Sequence, residues 1–325
     1  MKIKKPLCRL KARVKHNLRY DLLMKLNHIG LAIIVAILWG FNFVVMKSGL
    51  HEIPQFLFSG LRFLLTSVPL IFFIPKPKTS WSVIIGIGVC QGFLSFALLF
   101  KGLNLGVPAG LSSLLLQGQV LFSIGLSFFM LNIKPTKQQL IGVIVASIGL
   151  ILVAASLHYE VVTYYGILFV MAGAFFWAVS NILLKYAGPV DSFALVIWSC
   201  LFSAIVNLAF SASLEGIDLI VYSCQNITWK GLSALAYIVV MATWIGATLQ
   251  TKLICRYSPT IVAPFSLLIP LVGMFSGYII LDEYLSMQTI AAACVVFLGL
   301  AINQWSSRQK TSEHPYTKET LSKVA

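Results

Sequence analysis

Trp39-Gly-Phe-Asn42-Phe-Val-Val-Met-Lys47 and Trp177-Ala-Val-Ser-Asn181-Ile-Leu-Leu-Lys185 each lie inside an apolar run. Each sets an Asn shortly after a Trp and a Lys eight positions after it. On a helix, Trp39, Asn42, Phe43 and Met46 share one face, as do Trp177, Asn181 and Leu184. A bare amide facing lipid is costly, so both Asn are predicted to turn toward protein or a wet cavity. Packing alone, with the amide bonded to a neighbouring helix, accounts for one such residue. Two, at matching places in two halves, favour a shared central cavity in a transporter built from a repeated unit.

Composition agrees with a membrane protein. The 325 residues are 58% hydrophobic and only 10% charged, with a mean hydropathy of +0.90, against about 25% charged residues in a soluble domain. The net charge of +14 is not a nucleic-acid stripe, because nine of the 24 Lys and Arg fall in residues 1–27 and most others in short loops. The six Cys form no CxxC pair, so free thiols are expected rather than a disulfide framework or a zinc site. There is no HExxH and no GxxxxGK[ST] loop, so neither a cofactor nor direct ATP coupling is expected.

Residues 1–26 form a basic segment that reads as an interfacial stretch on anionic lipid, or as a start upstream of Met24. The segment lacks the cleavage pattern of a secretory signal. Ten apolar runs follow, near 28–47, 55–74, 81–101, 109–131, 138–156, 163–185, 192–211, 229–250, 259–281 and 287–306. Pro108, Pro259 and Pro270 stand at the start of, or inside, the fourth and ninth runs, where freed carbonyls need a neighbour or water. A tail, 308–325, closes the chain.

Charge sets the orientation. With the N-terminus inside, the inner side holds the nine N-terminal cations and Lys76, Lys78, Lys134, Lys137, Lys185, Lys252, Arg256, Arg308, Lys310, Lys318 and Lys323. The outer side keeps Lys47, Lys101 and Lys230, and collects Glu52, Glu160, Glu215, Asp218, Asp282 and Glu283. Five spans per half is odd, so the second half (157–307) enters the membrane from the side opposite the first (27–156), giving an inverted repeat. Leu131-Asn-Ile-Lys-Pro-Thr-Lys-Gln-Gln-Leu140 then reads against Leu281-Asp-Glu-Tyr-Leu-Ser-Met-Gln-Thr-Ile290, and each leads to a Gly-Leu pair, at Gly149 and Gly299.

Further stretches carry a family likeness: Ser59-Gly-Leu-Arg-Phe63, Pro108-Ala-Gly-Leu-Ser-Ser-Leu-Leu-Leu-Gln-Gly-Gln119 and Ala263-Pro-Phe-Ser-Leu-Leu-Ile-Pro-Leu-Val-Gly273. With the Trp/Asn stretches and Leu281-Asp-Glu283, in this order and spacing, they resemble the EamA family of the drug/metabolite transporter superfamily, over nearly all of residues 28–306. The resemblance implies an all-α integral membrane protein of ten transmembrane helices, both termini in the cytoplasm of a bacterium, its spans in the inner membrane. It also implies export of small amino-acid-like metabolites, with cysteine and O-acetylserine as the expected cargo. One departure is that the family's first half usually has Gly-Glu where this chain has Asn132-Ile133.

The candidate substrate-binding residues are Trp39, Asn42, Arg62, Gln117, Trp177 and Asn181. Arg62 lies about 10 Å into the second span at 1.5 Å per residue. It reads either as a bidentate anchor for a substrate carboxylate or as a side chain snorkelling to the headgroups, and the resemblance tips the choice toward the anchor. Gln117 and Gln119, two apart on one helix, are expected to point apart, with at most one fully in the cavity. Gln91 is a weaker third amide, and amides suit a zwitterion because they donate and accept. Trp198 and Trp244 are further candidates for a cavity wall, though each is more often a packing aromatic. Lys47 and Lys185, at helix ends, read as solvated. No Asp or Glu falls inside an expected span, so facilitated efflux is preferred over carboxylate-based proton antiport. A membrane-embedded transferase would need an acid/base or nucleophile–base pair at one depth, and His51 and His158 have no evident partner. Drugs, nucleosides and sugars remain alternative cargo on the same fold.

Overall fold

Apolar runs of this length have no water to satisfy their backbone, so they close their hydrogen bonds internally as helices. The computed structural model describes residues 26–131, 135–156, 164–187, 190–250, 253 and 262–312, all helix and connector with no strand among them. The helices are α1 (Leu26–Leu50), α2 (Gln55–Ile71), α3 (Trp81–Asn104), α4 (Ala109–Leu115), α5 (Gly118–Leu131), α6 (Lys137–Ser156) and α7 (Tyr164–Tyr186). They continue with α8 (Ser192–Phe210), α9 (Ile217–Gln225), α10 (Trp229–Gln250), α11 (Leu268–Leu281) and α12 (Met287–Ser312). Six helical stretches are long and apolar enough to cross a membrane, and four shorter apolar helices accompany them. Outward-facing Ile144, Ile148, Ile151, Leu168 and Phe275 give the bundle an apolar exterior.

Residues with local hydrogen-bonding power start several helices. Thr136 and Gln139 make a reciprocal capping box at α6, with Gln139 N donating to Thr136 Oγ1 and Thr136 N to Gln139 Oε1. Asp191 caps α8, Thr228 caps α10 and Ser286 caps α12. The principal packing pairs are α6 with α12, α2 with α8, α1 with α11, α5 with α7, α4 with α11, α3 with α7 and α8, and α10 with α1 and α2. The α6–α12 contact is set by small residues: a Cβ on Gly142 would sit 2.7 Å from Gly299 O, and one on Gly299 would collide with the Ala146 backbone.

Three local departures from the expected spans matter. The fourth span is two helices, because the chain turns at Leu116–Gln117 between α4 and α5. α3 and α10 widen into π-helix over Gly88–Ser95 and Tyr237–Ala247. The stretch after α8, expected as loop, carries a π turn (Ser211–Glu215), Gly216 at φ 85° and the short helix α9, whose Ile220 packs on the core while Ile217 and Tyr222 face out. Outside the described residues lie the basic segment 1–25, the connectors 132–134 and 157–163, Lys252, Arg256, Pro259 and the chain beyond 312.

One end of the bundle is tied by carboxylates. Glu283, just past α11, accepts from Lys47 Nζ at 2.6 Å and from the free backbone N–H groups of Ala109 and Gly110 at 2.7 and 3.1 Å. Glu215 accepts from Phe56 N and Leu57 N at the start of α2, and Glu52 accepts from the hydroxyl of Thr228. The ends of α1, α8 and α11 therefore meet the starts of α2, α4 and α10 at one side. Lys47, expected to be solvated, is an ion-pair partner.

Candidate functional site

A cavity of about 440 Å³ lies between α1, α2, α3, α4, α5, α7, α8, α10 and the segment leading into α11, a size usual for small-molecule sites. α1 supplies Trp39, Asn42, Phe43 and Met46, the face expected from their spacing. Arg62, Gln117 and Trp177 also line it. Asn181 does not. Its amide donates to Gln119 Oε1 and Ser123 Oγ, both at 3.2 Å. Helical arithmetic gives the reason: Asn42 follows its Trp by three residues and Asn181 by four. At 3.6 residues per turn the two amides therefore sit about 100° apart around their helices relative to the Trp. The residue three after Trp177 is Ser180, which donates to Gln91 Oε1 at 3.1 Å.

Gln117 and Gln119 both line the cavity, against the expectation that they diverge. The turn at Leu116–Gln117 resets the helical phase between them. Gln119 accepts from Asn181, and Gln117 Nε2 reaches Ser266 O at 3.4 Å. Gln91 lines it as well. Trp198 and Trp244 do not wall it: their indoles donate to Ile74 O and Thr66 O, tying neighbouring segments.

Arg62 is buried, 7% exposed, so it does not snorkel. Its guanidinium carbon lies 4.2 Å from the centroid of Phe96 and 5.0 Å from that of Phe63, a cation–π arrangement that covers the charge with rings. Its Nη1 points to Met46 Sδ at 3.8 Å, and Nε is buried with no hydrogen-bond partner among the described residues. Among the described residues, no Asp or Glu lines the cavity. Asn42 Oδ1 is likewise buried without a donor. The site thus holds one fixed positive charge and an amide oxygen awaiting a proton donor, inside mostly apolar walls.

The π segments were not legible from the residue pattern, because their stability comes from other helices. Side chains from other helices reach carbonyls in both wide segments. Those of α3 are taken by α8, with Asn207 Nδ2 donating to Gly92 O at 3.1 Å and Ser203 Oγ to Gly88 O at 3.0 Å. In α10, Ala242 O accepts from the Trp39 indole at 2.8 Å. Gly246 allows that approach, since a Cβ there would lie 2.6 Å from Trp39 Nε1. Trp39 is therefore occupied by structure, whereas the Trp177 ring packs at a tilt against Phe96 and its indole N–H has no partner among the described residues.

The model of the EamA-like transporter family matches this chain twice, over residues 26–155 and 164–304. The chain belongs to that family. A "probable amino-acid metabolite efflux pump" of Salmonella typhimurium is 38% identical over 283 residues, covering 86% of this chain and 95% of the relative. A protein of the same description from Escherichia coli is 37% identical over 283 residues with the same coverage. An uncharacterized transporter of Bacillus subtilis is 26% identical over 296 residues, covering 85% of this chain and 96% of its own length. A solved protein crystal structure superposes with a TM-score of 0.59 at 16% identity, covering 88% of this chain and 99% of that one, a likeness of fold alone. Membership makes this EamA-like chain a multi-pass membrane transporter of small molecules and not an enzyme.

Proposed function

We propose that the protein exports small amino-acid-like metabolites, cysteine and O-acetylserine among them, from the bacterial cytoplasm by alternating access without ATP. The observation that carries this is Arg62, a buried cation on an acid-free cavity with no oxygen partner among the described residues. A substrate carboxylate supplies the missing counter-charge through a forked pair of hydrogen bonds. Asn42 Oδ1 and the Gln117 amide oxygen, neutral acceptors on the same cavity, receive the ammonium protons. Trp39 and Trp177 wall the space, and Asn181 acts indirectly by holding Gln119. The names of the two relatives above 30% identity support the amino-acid cargo.

The architecture proposed is ten spans in two inverted halves, 27–156 and 157–307, with the basic segment 1–26 and the tail 308–325 in the cytoplasm. Two observations support it. The family model matches twice. Exchanging α1 with α7, α2 with α8, α3 with α10, α4/α5 with α11 and α6 with α12 turns the principal packing pairs named above into one another, and the two π segments then correspond. The Lys/Arg asymmetry supports an inner-membrane orientation with both termini inside. The cavity reaches Leu184, Leu195 and Gln250 near the inner helix ends, but on the outer side goes no further than Met46 and Ser113, beneath the Lys47–Glu283 contact. In this topology the cavity extends further toward the cytoplasmic side than toward the outer side.

An efflux assay in cells stripped of their own exporters tests the cargo, comparing cysteine, O-acetylserine, aromatic amino acids and purines. Selective loss of intracellular amino acid on expression is the expected result. Purine efflux without amino-acid efflux overturns the assignment.

A further inference from the structure

We propose that Met46 is a positioning residue, its thioether holding Arg62 and Asn42 toward one point of the cavity until a substrate carboxylate takes its place. This deepens, and rests on, the assignment of the cavity as the substrate site. Met46 lines the cavity and is only 1% exposed. Its sulfur is 3.8 Å from Arg62 Nη1 and 3.7 Å from Asn42 Nδ2, so one atom accepts from both polar groups. Neither side chain donates to an oxygen among the described residues.

The geometry leaves the guanidinium little other constraint. Phe96 and Phe63 lie close to the charge, which leaves the direction of its N–H groups to be set elsewhere. The thioether sets that direction for Nη1. A thioether is a weak acceptor, so it orients the group without satisfying it. A carboxylate, with two charged oxygens, displaces it readily. Methionine is unbranched and flexible, so the sulfur retreats by side-chain rotation alone. The next residue, Lys47, is pinned by Glu283, which fixes the last turn of α1 and keeps Met46 at this height.

Two substitutions separate orientation from packing. Met46→Leu keeps the volume and removes the acceptor. Met46→Gln keeps the length and adds a strong oxygen acceptor that competes with the substrate for Arg62. Equilibrium binding to the purified full-length protein is measured with L-cysteine, L-leucine and the methyl ester of each. Met46→Leu weakens binding of the acids by about three- to tenfold, the cost of immobilising a guanidinium no longer held in place, and leaves the esters within about twofold. Met46→Gln weakens the acids further. In an Arg62→Gln background Met46→Leu has no additional effect on the acids, and this cycle decides alone where an ester binds too weakly to measure. Equal loss for acid and ester, or a Met46→Leu loss that persists undiminished beside Arg62→Gln, overturns the inference and makes Met46 a packing residue. So does an unchanged Met46→Leu affinity when Arg62→Gln weakens the acids, and the site assignment then stands. If Arg62→Gln leaves the acids unaffected, or the unaltered protein binds none of them, the site assignment falls and the inference with it.

Discussion

Lys47 Nζ lies 2.6 Å from Glu283 Oε1, across 236 residues of chain, at the end of the bundle where α1 and α11 finish. The same carboxylate holds the first N–H groups of α4, so one side chain joins α1, α4 and α11. The pair is unequally buried, with the Glu283 side chain 7% exposed and that of Lys47 21%.

Glu283→Ala is expected to cost about 2–4 kcal/mol, because it strands two backbone donors and a cation in a partly dry site. Lys47→Met should cost less, about 1 kcal/mol, since the carboxylate keeps both backbone partners and Lys47 is the wetter of the two. Thermal unfolding in detergent checks the order, and a Lys47→Met loss as large as that of Glu283→Ala contradicts it.

Arg62→Gln is expected to weaken binding of carboxylate substrates by roughly ten- to a hundredfold, the worth of a charge-assisted hydrogen bond. Arg62→Lys should also weaken it, because an ammonium lacks the planar fork and its fit against Phe96. A harmless Arg62→Lys, measured by affinity on folded protein, returns Arg62 to a purely electrostatic or structural part.

Asn42→Leu and Asn181→Leu should part company. Asn42 carries a buried amide oxygen on the cavity, so its loss lowers affinity. Asn181 is bonded to Gln119 and Ser123, so its loss should lower stability by about 1 kcal/mol and change affinity by less than about threefold. Equal affinity losses for both variants contradict this division.

Asn207→Leu is expected to destabilise by about 1–3 kcal/mol. It removes the side-chain donor that Gly92 O and Ser203 O receive, and with it the polar link from α8 to the π segment of α3. The measurement is unfolding in detergent. A variant as stable as the parent shows that the wide turn needs no help from α8.

Reporter fusions after Arg308 and between Gln225 and Trp229 should report the cytoplasmic and outer sides respectively. The same side for both contradicts the orientation drawn from the charge asymmetry.

Much of the molecule was legible in its residue order. Each apolar run satisfies its own backbone, so the places of the helices are a local property. The α1 face of Trp39, Asn42, Phe43 and Met46 also follows from spacing alone, and all four line the cavity. Arg62 stood out by type, since a cation inside an apolar run needs a reason. The tertiary structure decided which partner each polar group takes. Asn181 looked equivalent to Asn42, but one extra residue after its Trp turns it onto Gln119. Gln117 and Gln119 looked divergent, but a break between α4 and α5 brings both to the cavity. The wide turns of α3 and α10, the occupied indole of Trp39 and the pairing of Lys47 with Glu283 all depend on side chains from distant helices. Helical periodicity tells a residue which way to face along its own axis. The hydrogen-bond partner waiting there is set by how the helices pack, and that is not a property of any one stretch.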